Sequence, residues 1–325
     1  MELISNKSME LKHISTATDE ILDYINNRRH GRINSLRTRW PKFNRCCMGG
    51  IEANTIYTVC GISGAGKSSF ANSLETDLFE LNTNESFVVL NFNLEMLSSR
   101  QVGRKLSYKL NKTTSELYSS SSTDDTYKVS DEDYTNILKH AEKIKKFSIY
   151  YVDCPGTVDE IKQTIISFKK LEEMKNKWLI IILDHALLVK GNSITSEREI
   201  ISSLQRMFME QKKYGRTTII QLSQLNREIE DKDRINNPNL HYPMRRDVFG
   251  SDSLFQTSDY VIVLHRPEIL GIEDMNYGPK RLPVKNMIYL HILKAREGEP
   301  KVLSFINNLK YNRIDEVDPY NIINI

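Results

Sequence analysis

The chain has no run of about 18 or more apolar residues, so no membrane-spanning helix is expected. Its amino terminus, MELISNKSMELKH, also lacks the unbroken apolar core of a secretory signal. Cysteine is scarce. Cys46, Cys47, Cys60 and Cys154 form no C-x-x-C pair, and with seven scattered histidines they offer no zinc constellation. Reduced thiols and a cytoplasmic location are therefore expected. Charge of one sign is missing too: 45 Lys and Arg against 42 Asp and Glu leave a formal net charge of +3, so any surface for a polyanion must be local. No internal repeat of roughly 20 to 50 residues is apparent. What remains, 325 residues with 39% apolar and 27% charged side chains, fits one large α/β domain with an arm, or two small domains.

The densest signal is TIYTVCGISGAGKSSF, residues 55 to 70. It holds a complete G-x-x-x-x-G-K-S loop, Gly61 to Ser68, between an apolar strand pattern (Tyr57 to Cys60) and a helix pattern running to about Leu81. This is a phosphate cradle. Glycines let backbone N–H groups turn inward around an anion, and the following helix start adds partial positive charge. Gly61, Ser63, Gly64, Ala65, Gly66, Lys67, Ser68 and Ser69 are the binding candidates, with Lys67 reaching the terminal phosphates and Ser68 a ligand for Mg²⁺.

Before the cradle, Leu11, Ile14, Ala17, Ile21, Tyr24 and Ile25 form one apolar stripe on a helix, which packs either on its own domain or on a neighbouring copy. The basic stretch RRHGRINSLRTRWPK after it reads as a connector. Beyond the cradle, Ser86 to Phe92 reads as a buried strand adjoining the phosphate strand, with Glu95 just past its carboxyl end, where it can orient an attacking water. Ser119 to Asp125 marks a flexible surface turn, and Ser148 to Asp153 a short strand. Trp178 to Leu183 is a continuous apolar strand ending in Asp184, a second magnesium candidate; His185 beside it reads as structural.

Thr217 to Leu222 is a further strand, leading to Gln224, a polar amide suited to contact a γ-phosphate. The segment from Glu228 to Arg246 reads as a mobile, basic loop with Lys232, Arg234, Arg245 and Arg246, preceded by Arg227, and suits a polyanion. Strand patterns return at Tyr260 to Leu264, Met287 to Leu293 and Lys301 to Phe305. The last two flank a hairpin turn in which Lys294 and Arg296, two apart, face the same side and are candidates for charge neutralisation at another subunit's nucleotide.

In order, GISGAGKSS, NFNLEM, YYVDCPGTVDEI, WLIIILDHALLV, IIQLSQLNRE, FGSDSLFQTSDYVIVLHRPE and LKAREGEP resemble the successive motifs of the RecA-like ATPase domain of DnaB-type replicative DNA helicases. The resemblance implies a mostly parallel central sheet flanked by helices and preceded by a linker helix. It divides the chain into an arm (1–35), a RecA-like ATPase domain (36–310) and a carboxyl-terminal tail (311–325). It implies ATP or another nucleoside triphosphate with Mg²⁺, and a homo-oligomeric, usually hexameric, ring around single-stranded DNA. Lys67, Ser68, Asp184 and Gln224 then take the roles read above, and Glu95 becomes the catalytic carboxylate. Lys294 and Arg296 become the pair donated in trans, and the arm helix docks on an adjacent subunit.

The arm is too short for the family's helical amino-terminal domain, which makes a phage-like form the expectation and leaves primase or a loader as further partner classes. Phe249-Gly250-Ser251-Asp252-Ser253 stands where many members carry a basic residue, so Arg227, Arg245, Arg246 and Ser251 are the candidates for DNA contact. An alternative from another class is a RecA-like ATPase serving as a non-unwinding switch, helicase loader or recombination mediator. A small-molecule kinase is disfavoured, because it leaves Gln224 and the Lys294/Arg296 hairpin unexplained.

Overall fold

The computed structural model describes residues 11–120, 128–191, 196–277 and 280–318, without the side chains of Ser251, Tyr277 and Lys280. Two compact units result, Met1–Ser35 and Leu36–Ile325. The first is built on α1 (Ile14–Arg29), with no buried residue; Leu11, Ile14, Ile21 and Ile25 are all exposed.

The second unit runs α2 (Pro41–Cys46), β1 (Ile56–Gly61), α3 (Lys67–Leu81), β2 (Phe87–Asn93), α4 (Ser98–Leu110), α5 (Thr114–Leu117), α6 (Asp131–Ile144) and β3 (Ile149–Val152). It continues with α7 (Val158–Lys169), β4 (Trp178–Asp184), α8 (Glu197–Gln211), β5 (Thr217–Gln224), α9 (Lys232–Ile235), α10 (Ser251–Thr257) and β6 (Tyr260–His265). A small hairpin, β7 (Met275–Tyr277) and β8 (Lys280–Leu282), precedes β9 (Met287–Ala295), β10 (Val302–Asn308) and β11 (Arg313–Val317).

One sheet organises this unit, in the order β11-β10-β9-β6-β1-β5-β4-β2-β3. Strands β3, β2, β4, β5, β1 and β6 are parallel; β9, β10 and β11 extend the sheet antiparallel. This is the α/β architecture expected. The parallel strands are near-continuous apolar runs because both faces are covered. On one face Phe70 of α3 stacks on Trp40 at 4.7 Å, with Phe43 of α2 and Phe305 of β10 edge-on to the same indole. On the other, Ile161 and Ile165 of α7 and Leu204 and Phe208 of α8 pack on β2, β4 and β5.

Three expectations are corrected here. The strand before Glu95 does not adjoin the phosphate strand: β5 and β4 lie between β1 and β2. The stretch expected to be only a connector also enters the core. Leu36 and Trp40 are in the core, and Arg39 pairs with Asp77 and Asp315, so its charge is matched by distant carboxylates. The segment expected as a tail contributes β11, whose Ile314 is buried and whose Glu316 accepts the backbone N–H groups of Lys42 and Phe43. Within the Ser119 to Asp125 turn, residues 121–125 lie outside the described residues.

A buried ion pair joins α3 to α4. Lys105, with no exposed surface, contacts Glu75 and donates to Asn72 Oδ1 at 3.1 Å, while Asn91 of β2 donates to Glu75 Oε1 at 3.0 Å. Removing one partner strands the other charge in a low dielectric. Lys105→Met is expected to cost about 3–5 kcal/mol of stability, read from the urea midpoint. A loss under about 1 kcal/mol would mean that water reaches Glu75 in the variant.

Candidate active site

The carboxyl ends of the parallel strands open onto one cleft of about 780 Å³. On leaving β1 the chain turns through Gly64 and Gly66 at φ +75° and +101°, the left-handed region that a Cβ disfavours. Gly66 is constrained twice over, since a Cβ there would stand 2.7 Å from Leu309 Cδ2. Leu309, in the turn between β10 and β11, thus lies across the loop. The amino terminus of α3 faces the cleft and supplies the positive end of a helix dipole.

Lys67 Nζ donates to the carbonyls of Gly61 (2.8 Å) and Ile62 (3.1 Å). Burial lowers its pKa, while Cys60, Asp184 and Glu95 pull it up. Ser63, Ser68 and Ser69 line the cleft beside it, and Ala65 is buried beneath the loop.

Sheet register sets the other groups. Gln224, last in β5, sits opposite Gly61, and Asn93, last in β2, sits opposite Asp184. Ser68 lies beside the Asp184 carboxylate; burial raises the Asp184 pKa and the Ser68 hydroxyl lowers it. Two hard oxygen donors side by side and near Lys67 suit a small oxygen-seeking dication such as Mg²⁺. The turn after β2 brings exposed Glu95 to the same cleft. His185 also lines it, its Nδ1 accepting from Leu187 N at 3.3 Å, with burial lowering its pKa.

Three cleft cations escaped the sequence reading: Lys310, next to Leu309, and two arginines. Arg266, just past β6, donates to the Gly64 carbonyl at 3.2 Å. Arg104, half-buried on α4, makes no hydrogen bond or ion pair among the described residues, and its charge lowers the Asp184 pKa. Helical spacing alone does not say which face of α4 meets the cleft; only the packing of α4 on α3 and α6 does.

Lys294 and Arg296 do not line this cleft. Lys294 Nζ donates to the carbonyls of Phe255 (2.5 Å) and Gln256 (3.1 Å), at the negative end of α10. Arg296 Nη1 pairs with Asp259 Oδ1 at 2.9 Å, and its Nη2 meets the Gln256 carbonyl at 3.5 Å. The two cations thus share one side.

Arg227, Arg245 and Arg246 are exposed, and Arg245 pairs with Asp252 at 3.3 Å over the Phe255 ring. Ser251 begins α10, but its side chain lies outside the described residues. The expected mobile loop is instead built around a buried arginine. Arg234 forks onto both Asp247 oxygens at 2.6 Å, and donates to the Leu240 (2.8 Å) and Tyr242 (2.6 Å) carbonyls. At 5% exposure it is a clasp, not a polyanion contact.

Comparison with known proteins agrees with this geometry. Residues 35–316 match the family described as "DnaB-like helicase C terminal domain". The replicative DNA helicase DnaB of Mycobacterium leprae is 27% identical over 68% of this chain and 33% of its own length. That of Buchnera aphidicola is 24% identical over 82% of this chain and 52% of its own. The chain thus spans about a third to a half of these curated relatives. In fold it resembles a structure solved as an isolated ATPase domain, with a TM-score of 0.76 at 18% identity over 95% of this chain and all of that one. A DnaB-like replicative helicase, solved in a study of its interactions with primase, gives a TM-score of 0.73 at 20% identity over 97% of this chain and 69% of that one.

Proposed function

Because the chain belongs to the DnaB-like helicase C-terminal domain family, we propose that it is an ATP-hydrolysing motor that assembles as a ring, moves on single-stranded DNA and separates duplex strands as a replicative helicase. The observation that carries the reading is the convergence of Lys67, Ser68, Glu95, Asp184 and Gln224 at one cleft.

Lys67 exchanges its two loop carbonyls for terminal phosphate oxygens of ATP. Ser68 and Asp184 would hold Mg²⁺, which would supply positive charge against the phosphates. Glu95 orients a water and takes its proton as the water oxygen attacks the γ-phosphorus. The bond from that phosphorus to the bridging oxygen breaks, leaving ADP and phosphate. Gln224 touches the γ-phosphate end and leads directly into the segment with Arg227, Arg245 and Arg246, so occupancy at one end biases the other. Those arginines fasten on DNA phosphates, which makes binding sequence-tolerant and salt-sensitive. Lys294 and Arg296 complete the neighbouring subunit's site, and α1 docks on an adjacent copy. Primase or a loader remains the further partner class, and a cytoplasmic location follows from the replication role.

Strand displacement on a forked duplex, compared between wild type and Lys67→Ala, tests this. Wild type should hydrolyse ATP faster with single-stranded DNA present and release the displaced strand; Lys67→Ala should do neither. Robust DNA-stimulated hydrolysis without displacement under any loading condition would sink the helicase reading and favour a non-unwinding switch.

A further inference from the structure

We propose that Asn93 and Gln101 are positioning residues that hold Glu95 in its working orientation, an inference that rests on the proposed role of Glu95 as water-activating base. The Glu95 side chain makes no hydrogen bond or ion pair among the described residues, so its aim is set by the backbone of its turn. That turn, residues 94–97, joins β2 to α4 and is tied at three points. Leu94 N donates to the Asp184 carbonyl at 2.9 Å, and Ser98 N to Asp153 Oδ2 at 3.0 Å. The third tie is the Asn93 side chain. Fully buried, it donates from Nδ2 to the Met96 carbonyl and accepts at Oδ1 from Gln101 Nε2 at 2.9 Å.

An amide has one donating and one accepting end, so the two partners are not independent. Gln101, 4% exposed on α4, presents its own N–H to Asn93 Oδ1 and so selects the rotamer in which Nδ2 faces Met96. Without that donor Oδ1 is left unpaired in the interior, and the Met96 carbonyl alone holds the Asn93 amide. A buried amide pair is costly unless fully bonded. Here it is bonded on both sides of the residue that needs placing. The same strand end lies opposite Asp184, so Glu95 is fixed relative to the magnesium side of the site.

Two variants test this in the assembled protein. Asn93→Asp keeps the shape and the acceptor for Gln101 but removes the donor to Met96; Gln101→Leu keeps bulk but removes the donor to Asn93. Each should lower kcat by about 10- to 100-fold, the scale of a misplacement near 1 Å, with the Kd for a fluorescent ADP analogue unchanged within about twofold. In a Glu95→Gln background, measured in single turnover, neither should slow hydrolysis further, because a residue acting through Glu95 has nothing left to position. Wild-type kcat in both single variants would overturn the inference. So would a slowing in the Glu95→Gln background as large as in wild type, which marks a general structural role. If Glu95→Gln alone retained wild-type kcat, the role of Glu95 would fall, and this inference with it.

Discussion

Arg296→Ala should bind nucleotide within about twofold of wild type yet turn over about 10³-fold or more slowly, the scale seen when an arginine that stabilises phosphoryl transfer is removed. The expectation comes from where the side chain is. Arg296 stands outside its own cleft, on Asp259 and the Gln256 carbonyl, with Lys294 beside it on the end of α10. In the proposed role, a cation there acts on a site that another copy brings to it. Mixing makes this decisive. Rings of Arg296→Ala and Lys67→Ala subunits in equal amounts contain intact sites at about a quarter of their interfaces, since one subunit supplies Lys67 and its neighbour Arg296. Partial recovery of hydrolysis is therefore expected from two inactive proteins. No recovery in demonstrably mixed rings would mean that Arg296 serves its own subunit, and equal loss of binding and turnover in the single variant would also count against donation in trans.

Glu95→Gln should also separate binding from chemistry, this time from within the cleft. Glutamine keeps the length and one acceptor oxygen but cannot take a proton, and loss of a general base costs about 10²- to 10⁴-fold. We expect kcat to fall about 10³-fold while ATP affinity holds or rises, because a carboxylate beside the phosphates is removed. Phosphate release and titration with a fluorescent nucleotide read the two quantities independently. A fall smaller than about tenfold would move water activation to another group of the cleft.

Much of this was readable in the chain because parallel strands covered on both faces need unbroken apolar runs. Trp178–Asp184 is such a run and is β4 at those same bounds, and the phosphate loop, Glu95, Asp184 and Gln224 follow from what ends each strand. What was hidden depends on partners far away in sequence. Trp40 sits among arginines and a proline, a surface-like composition, yet Phe70 and Phe305 bury it. Arg234 looks like solvated loop charge until Asp247 folds back onto it. β11, RIDEV, is a half-buried antiparallel strand with a weak apolar pattern, and it gains its place from β10 and from residues 39–43, far away in sequence. Strand order has no local signature at all, which is why β2 was expected beside β1.

The Arg234 clasp has a kinetic consequence. A polyanion that meets the segment from Asn226 to Gly250 finds backbone already folded, so docking releases counterions without first ordering a loop. Its thermodynamic mark is a steep salt dependence with a small heat-capacity change, unlike the large negative change of coupled folding. In the proposed motor, letting go of the strand and taking hold again at each step then repeats only the ionic exchange, and the refolding time of a loop drops out of the stepping cycle.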